Sequence, residues 1–151
     1  MDVTQVGRFT APHDRLYDPQ THLWVLPVDG SRVRIGLDAL SVETSGTLAR
    51  LALGPIGSES QRGEALGNLE AAKFVGPITA PVSGRLGAMN SAVLEDPGLM
   101  ERDPYGEGWL AEIEASDLAT ERALLVEGPD RIAEWFRHEV EDYRLRGLVA
   151  E

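Results

Sequence analysis

Sixteen glycines and nine prolines punctuate this chain. So many breaks leave room for short strands and tight turns rather than long helices. The segments between them read accordingly. "THLWVLPV" (21–28) and "RVRIGLD" (32–38) read as paired strands joined across an Asp-Gly turn signal. "ALSVETSG" reads as a short helical turn or a loop. "TLARLALGP" (47–55), "EALGNLEA" (64–71), "FVGPITAP" (74–81) and "RLGAM" read as further strands, with "PVSG" (81–84) as a turn. "DPGLMERDPYGEG" (96–108) is loop-rich, with one helical turn around 98–102. "WLAEIEAS" (109–116) alternates, placing Trp109, Ala111, Ile113 and Ala115 on one side and Glu112 and Glu114 on the other.

Beyond Asp117 the composition changes. "DLATERALL" starts a helix with Asp117 as its cap. "GPDRIAEWFRHEVEDYRLRG" (128–147) is a stronger one, with Pro129 in the first turn and Gly147 past the end. Its Ile132, Phe136, Val140 and Tyr143 recur at helical spacing and form a stripe that reads as core against the barrel or, as the alternative, a docking face. At 151 residues the chain holds one domain. Its parts are an arm (1–20, with Pro12 and Pro19 and little periodicity), a β-rich body (21–116) and helices packed on it (117–151).

Twenty-five acidic against fourteen basic residues give a formal charge of −11. Such a surface repels nucleic-acid phosphates and anionic membranes and attracts a basic protein partner. No apolar run approaches the roughly 20 residues that span a bilayer, and "MDVTQVGRFTAPHD" lacks the layout of a secretory signal. With no cysteine there is neither a disulfide scaffold nor a thiolate metal site, and any redox chemistry must come from an attached group. These features point to the cytoplasm. His13 and His138 have no metal-ligand partners at useful spacing, so no metal site is expected. Nor is a nucleophile–base–orienter set visible, so no catalytic residue is assigned.

Of fourteen basic residues, thirteen are arginine; the one lysine is Lys73, in "NLEAAKFVG". Where arginine replaces lysine almost everywhere, a surviving lysine marks a position where arginine fails. Arginine fails where the amine itself must react, because a guanidinium stays protonated and is a poor nucleophile. A Schiff-base or general-base lysine needs burial or a neighbouring charge to lower its pKa. The turn expected at Ala71-Ala72-Lys73 offers neither, whereas small neighbours on an exposed turn leave an amine open to a modifying enzyme. Covalent modification and a solvated surface lysine both stay open on this local argument.

The surrounding pattern goes further. Gly63, Gly67 and Glu70 precede Lys73 by ten, six and three residues, and Gly84 closes "APVSG" eleven residues after it. With "THLW", "NSAVLEDP" and "DPYGEGWL" (103–110), this resembles the lipoyl-carrying H-protein of the glycine cleavage system over about two thirds of the chain, from His22 to Asp117. The resemblance implies a mostly β fold: a flattened β-barrel of two quasi-symmetric sheets, a barrel-sandwich hybrid, with the modified lysine at a hairpin tip and helices at the C-terminus. It implies lipoate in amide linkage on Lys73, hence a non-catalytic carrier. Its partners would be a lipoate ligase or lipoyl transferase, dihydrolipoamide dehydrogenase and the enzymes it shuttles between. Glu70 is then either a recognition residue for the lipoylating enzyme or a solvated strand acid. His22 corresponds to the family's histidine beside a cleft where a loaded arm rests, or is simply a satisfied histidine at a strand edge. Asp103, Tyr105 and Glu107 read as turn-forming and packing residues, and Gly36, Gly63, Gly67 and Gly84 as turns or bulges.

Three segments depart from the glycine-cleavage pattern: "LDALS" (37–41), "TSGTLARLALGP" and "FVGPI" (74–78). The C-terminal helix is also longer. On these departures the chain is similar instead to the H-like lipoate-binding proteins that serve a heterodisulfide-reductase-like complex in sulfur oxidation. The expectation is therefore a sulfur-oxidation carrier that supports little glycine decarboxylation, with the glycine-cleavage carrier of an aminomethyl group as the alternative. A biotin carrier has its lysine between two methionines; here Ala72 and Phe74 flank it. An unmodified interaction barrel leaves the solitary lysine unexplained.

Overall fold

The computed structural model describes residues 2–149. Met1, Ala150 and Glu151, the outer ends of the expected arm and C-terminal region, lie outside the described residues. Residues 2–20, expected as an arm, are built into the fold. β1 (Val3–Val6) and β2 (Phe9–Pro12) form an antiparallel hairpin, and β3 (Leu16–Tyr17) joins the main sheet. Phe9, Ala11 and Tyr17 are buried, and the Tyr17 hydroxyl donates to the Pro12 carbonyl at 2.6 Å. Strands of four and two residues are too short to leave a periodic signal, and the prolines masked what little there was.

β4 (Leu23–Asp29) and β5 (Arg32–Leu37) pair as expected. "ALSVETS" then forms a helix, α1 (Ala39–Ser45), whose N-terminus is capped by the Asp38 side chain accepting from Ser41 N at 2.9 Å. β6 (Leu48–Leu53), the two-residue β7 (Glu59–Ser60), β8 (Ala65–Ala71), β9 (Val75–Thr79) and β10 (Gly84–Met89) follow. Next come short helices α2 (Ser91–Glu95) and α3 (Leu99–Arg102), then β11 (Ala111–Ala115). The chain ends with α4 (Leu118–Glu121), a 3-10 turn (Arg122–Leu124) and α5 (Pro129–Leu145). β7 and α2 had no counterpart in the sequence reading. Asp117 precedes α4, but its side chain makes no capping hydrogen bond.

The strands form a six-stranded sheet, β3-β4-β5-β11-β10-β7, and a three-stranded sheet, β6-β8-β9, besides the β1–β2 hairpin. One core lies between the two sheets and includes Leu23, Val25, Ile35, Leu51, Leu69, Leu86 and Ile113. A second lies on the other side of β4, where Trp24 and Tyr17 meet Phe9, Ile132, Phe136 and Val140. β4 is thus covered on both faces, which is why "LWV" runs apolar without alternating. The helix stripe is core, as expected, with Tyr143 only partly buried. Gly36 stands opposite Trp24 in register, and a Cβ there would run into the indole, so this glycine serves packing rather than a turn. Gly67 sits at a β8 irregularity, where a Cβ would collide with the Ala52 carbonyl. Glu112, on the strand face opposite Ile113 as expected, is buried against the guanidinium of Arg34, whose Nη2 lies 2.8 Å away. Among the described residues, no helix is long and apolar enough to cross a membrane.

Candidate functional site

Lys73 lies in the turn between β8 and β9 and is exposed. The turn is held by main-chain bonds alone. Ala71 N–H donates to Phe74 O (2.7 Å), Ala72 N–H to Thr47 O (2.9 Å) and Lys73 N–H to Ser45 O (2.8 Å). The last two acceptors flank Gly46, whose φ of 76° and ψ of −161° fall in a region open essentially only to glycine. A Cβ there would lie 3.2 Å from Lys73 Cγ and 3.5 Å from Cδ, so the bare backbone also leaves room for the lysine stem. The end of α1 therefore aims the hairpin tip. The sequence reading singled out neither Gly46 nor Ser45; only the Ser-Gly pair closing "ALSVETSG" hinted at them.

Beside the tip opens a cleft of about 300 Å³, at the lower end of small-molecule pockets (roughly 300–1,000 Å³). Leu23, Leu37, Leu69, Phe74 and Ile78 give it apolar walls, and Thr21, Ser41 and Thr44 supply hydroxyls. That lining suits one unbranched acyl chain with a small polar cargo. Among the described residues, no group of three or more His, Cys, Asp or Glu is placed to hold a metal ion.

His22 forms part of the cleft wall. Its backbone is left-handed, φ 60°, unusual for a residue with a Cβ. The surroundings over-determine it. His22 N–H donates to Asp18 O, Asp38 N–H donates to His22 O, and the imidazole stacks on Trp135 at 5.2 Å between ring centres. Nδ1 donates to Asp38 Oδ2 at 2.6 Å and Nε2 to Glu139 Oε1 at 2.8 Å. With a carboxylate on each nitrogen the ring carries both protons. Burial alone disfavours that charge, but Asp38, by charge and hydrogen bond, and Glu139 outweigh it and push the pKa up to about 9. His22 thus has a partner on each ring nitrogen and borders the cleft. Its partners Asp38, Glu139 and Trp135 were not legible beforehand.

Glu70 does not join this group. Leu69 points into the cleft and Glu70, alternating, to the opposite face. There it is more than half exposed, opposite Arg50 across the strand pair, with 3.7 Å between their charged atoms. Tyr105 packs as expected, its hydroxyl donating to Thr10 O and accepting from Ala39 N–H. Asp103 accepts from Glu107 N–H within its own turn.

A family model described as Glycine cleavage H-protein matches residues 15–138. The chain is 41% identical over 109 residues to the glycine cleavage system H protein of Corynebacterium jeikeium (strain K411), spanning 70% of this chain and 85% of that one. It is 31% identical over 134 residues to the probable glycine cleavage system H protein 1 of Saccharolobus solfataricus, spanning 89% and 96%. The crystal structure of a glycine cleavage system H protein from Mycobacterium marinum matches with a TM-score of 0.67 and 29% identity, over 82% of this chain and 98% of that one.

These relatives are named for glycine cleavage, and none supports the sulfur-oxidation expectation. The departures behind that expectation are in part matters of packing. Leu37, Asp38 and Leu40 are buried around the start of α1, Leu48 and Leu51 face the core from β6, and Ile78 is buried in β9. Changes at these buried positions report how a core is filled, whereas Phe74 and Val75 of the third segment are exposed. Match and geometry converge: the chain belongs to the glycine cleavage H-protein family, lipoate carriers rather than catalysts.

Proposed function

We propose that Lys73 is the lipoyl attachment site and that the chain shuttles its lipoyl arm among the enzymes of glycine cleavage. The observation that carries this is the setting of the one lysine in the sequence. It is exposed at a turn in which the Ala71, Ala72 and Lys73 N–H groups are taken by main-chain acceptors, so the side chain is free to be acylated and to swing. Lipoate supplies a disulfide that opens to hold a fragment on one sulfur and recloses on oxidation. The protein's part is to present, orient and shelter. Ser45 and Thr47 fix the root of the arm, Gly46 leaves it space, and the cleft beside it offers an apolar resting place with His22 in its wall. Tethering raises the local concentration of the reactive group at each partner, to the millimolar range for short flexible arms. The absence of cysteine keeps that dithiol from exchanging with its own carrier.

The partners we assign are a lipoate ligase or lipoyl transferase, the glycine-cleavage enzymes and dihydrolipoamide dehydrogenase, in the cytoplasm. Glu70, on the outer face near the tip, is assigned to recognition by the lipoylating enzyme. The test is bicarbonate exchange into glycine by the glycine-cleavage decarboxylase supplied with the lipoylated protein. Exchange comparable to that with a conventional H-protein supports the assignment. Background exchange from fully lipoylated protein would refute the pathway and return the sulfur-oxidation reading.

A further inference from the structure

Phe74 follows the lysine directly and is 39% exposed; Val75 after it is 77% exposed. Two uncovered apolar side chains at a hairpin tip are unfavourable in water unless something covers them in use. The two differ in placement. Phe74 lines the cleft, whereas Val75 lies on the opposite groove with Arg50 and Glu70. The Phe74 ring folds back over β9, its Cζ 3.1 Å from where a Cβ on Gly76 would be, a position open to it because residue 76 is glycine. Its carbonyl closes the turn by accepting from Ala71 N–H, which fixes the residue beside the root of the lysine side chain. On the other side of that root stands Ser45, which also lines the cleft and whose carbonyl holds Lys73 N–H. The mouth of the cleft nearest Lys73 is therefore the Ser45 main chain on one side and the Phe74 ring on the other. A chain attached to Nζ enters the cleft past that ring.

Resting on the lipoylation of Lys73 proposed above, we propose that Phe74 is a positioning residue for the arm. Its ring covers the methylene stretch of the lipoyl-lysine at the mouth of the cleft and so sets how long the dithiolane is sheltered from solvent. The contact has the right chemistry: an aromatic face against methylenes, and an aromatic ring is also a favourable neighbour for sulfur. The covered ring and the covered arm each lose apolar surface to water.

Shelter is measured by how fast a water-soluble phosphine reduces the lipoyl disulfide. Lipoylated wild type, Phe74→Ala, Phe74→Leu and Val75→Ala are treated with the phosphine, quenched with iodoacetamide and weighed intact. Phe74→Ala is expected to react at least about threefold faster, roughly the loss of one methylene's worth of cover. Phe74→Leu, which restores an apolar side chain, should stay close to wild type, and Val75→Ala should match it. Equal rates for wild type and Phe74→Ala overturn the inference. So does equal acceleration in Phe74→Ala and Val75→Ala, which would mean a turn loosened in general. The same spectra before phosphine show whether the lipoyl group is present. Its absence from the wild type refutes the underlying carrier reading and this inference with it, whereas a loaded arm with unchanged rates refutes this inference alone.

Discussion

Lys73, beside the cleft, and His22, in its wall, are held by opposite means. The lysine turn is fixed through main-chain atoms, with Thr47 and Ser45 carbonyls taking its N–H groups, and the side chain is left to solvent. His22 is fixed through its side chain, by Asp38 from the start of α1, by Glu139 from α5 and by the Trp135 ring. A group that must react and travel needs a rigid root and a free end. A wall needs the reverse, and the cost of burying a charge is offset only while both partners stay in place. The comparison teaches that chemistry and stability are separable at this site, although both residues lie at one cleft, one beside it and one in its wall.

The largest expected effect is on the wall side. Asp38 is wholly buried, partners His22 and caps α1. Asp38→Ala leaves a buried imidazolium with one partner fewer and removes the cap, at a cost of about 3–5 kcal/mol. Lys73→Arg should leave stability within about 0.5 kcal/mol of wild type. Urea unfolding of both variants tests the contrast, and similar losses would break it.

A smaller, pH-dependent effect follows from His22. Its pKa rises from 6.5 to about 9 on folding, so the folded state binds the proton more tightly. Its contribution to stability is complete below 6.5 and is lost as the pH climbs through about 9. The groups facing the ring are Asp38, Glu139 and, at 5.4 Å, the Tyr143 ring, whose own pKa is raised chiefly by burial. Urea midpoints measured from pH 6 to 9.5 should fall in the wild type and fall less in His22→Gln. Equal slopes would place the titration elsewhere.

The smallest effect on folding belongs to Glu70. Its pairing with Arg50 joins two side chains that are both more than half exposed, and such pairs contribute little. Glu70→Ala should change stability by no more than about 0.5 kcal/mol while slowing lipoylation in vitro. Parallel losses of stability and modification would make the residue structural.

Much of this architecture was legible in the sequence, and the rest was not for identifiable reasons. Strands with an alternating face, such as β5, and the α5 stripe announced themselves through periodicity. The β1–β2 hairpin and β7 are too short to show a period, and α1 is a seven-residue helix starting from a buried aspartate. Lys73 stood out because amine chemistry excludes arginine. Its support by Ser45 and Thr47 did not, because main-chain acceptors carry no residue signature. His22 was legible through family resemblance alone; its partners lie 16 and 117 residues away and meet it only in the fold. The lean to sulfur oxidation rested on three segments that differ from the glycine-cleavage pattern, and the relatives found are named for glycine cleavage, the stated alternative.

The central claim, that Lys73 alone carries the arm, is tested most directly by intact mass after incubation with lipoate, ATP and a lipoate ligase. The wild type should gain a single lipoyl group and Lys73→Arg none, with both proteins folded. A wild type that stays unmodified while a known H-protein is loaded by the same ligase, or a Lys73→Arg protein that still gains the group, would contradict the account.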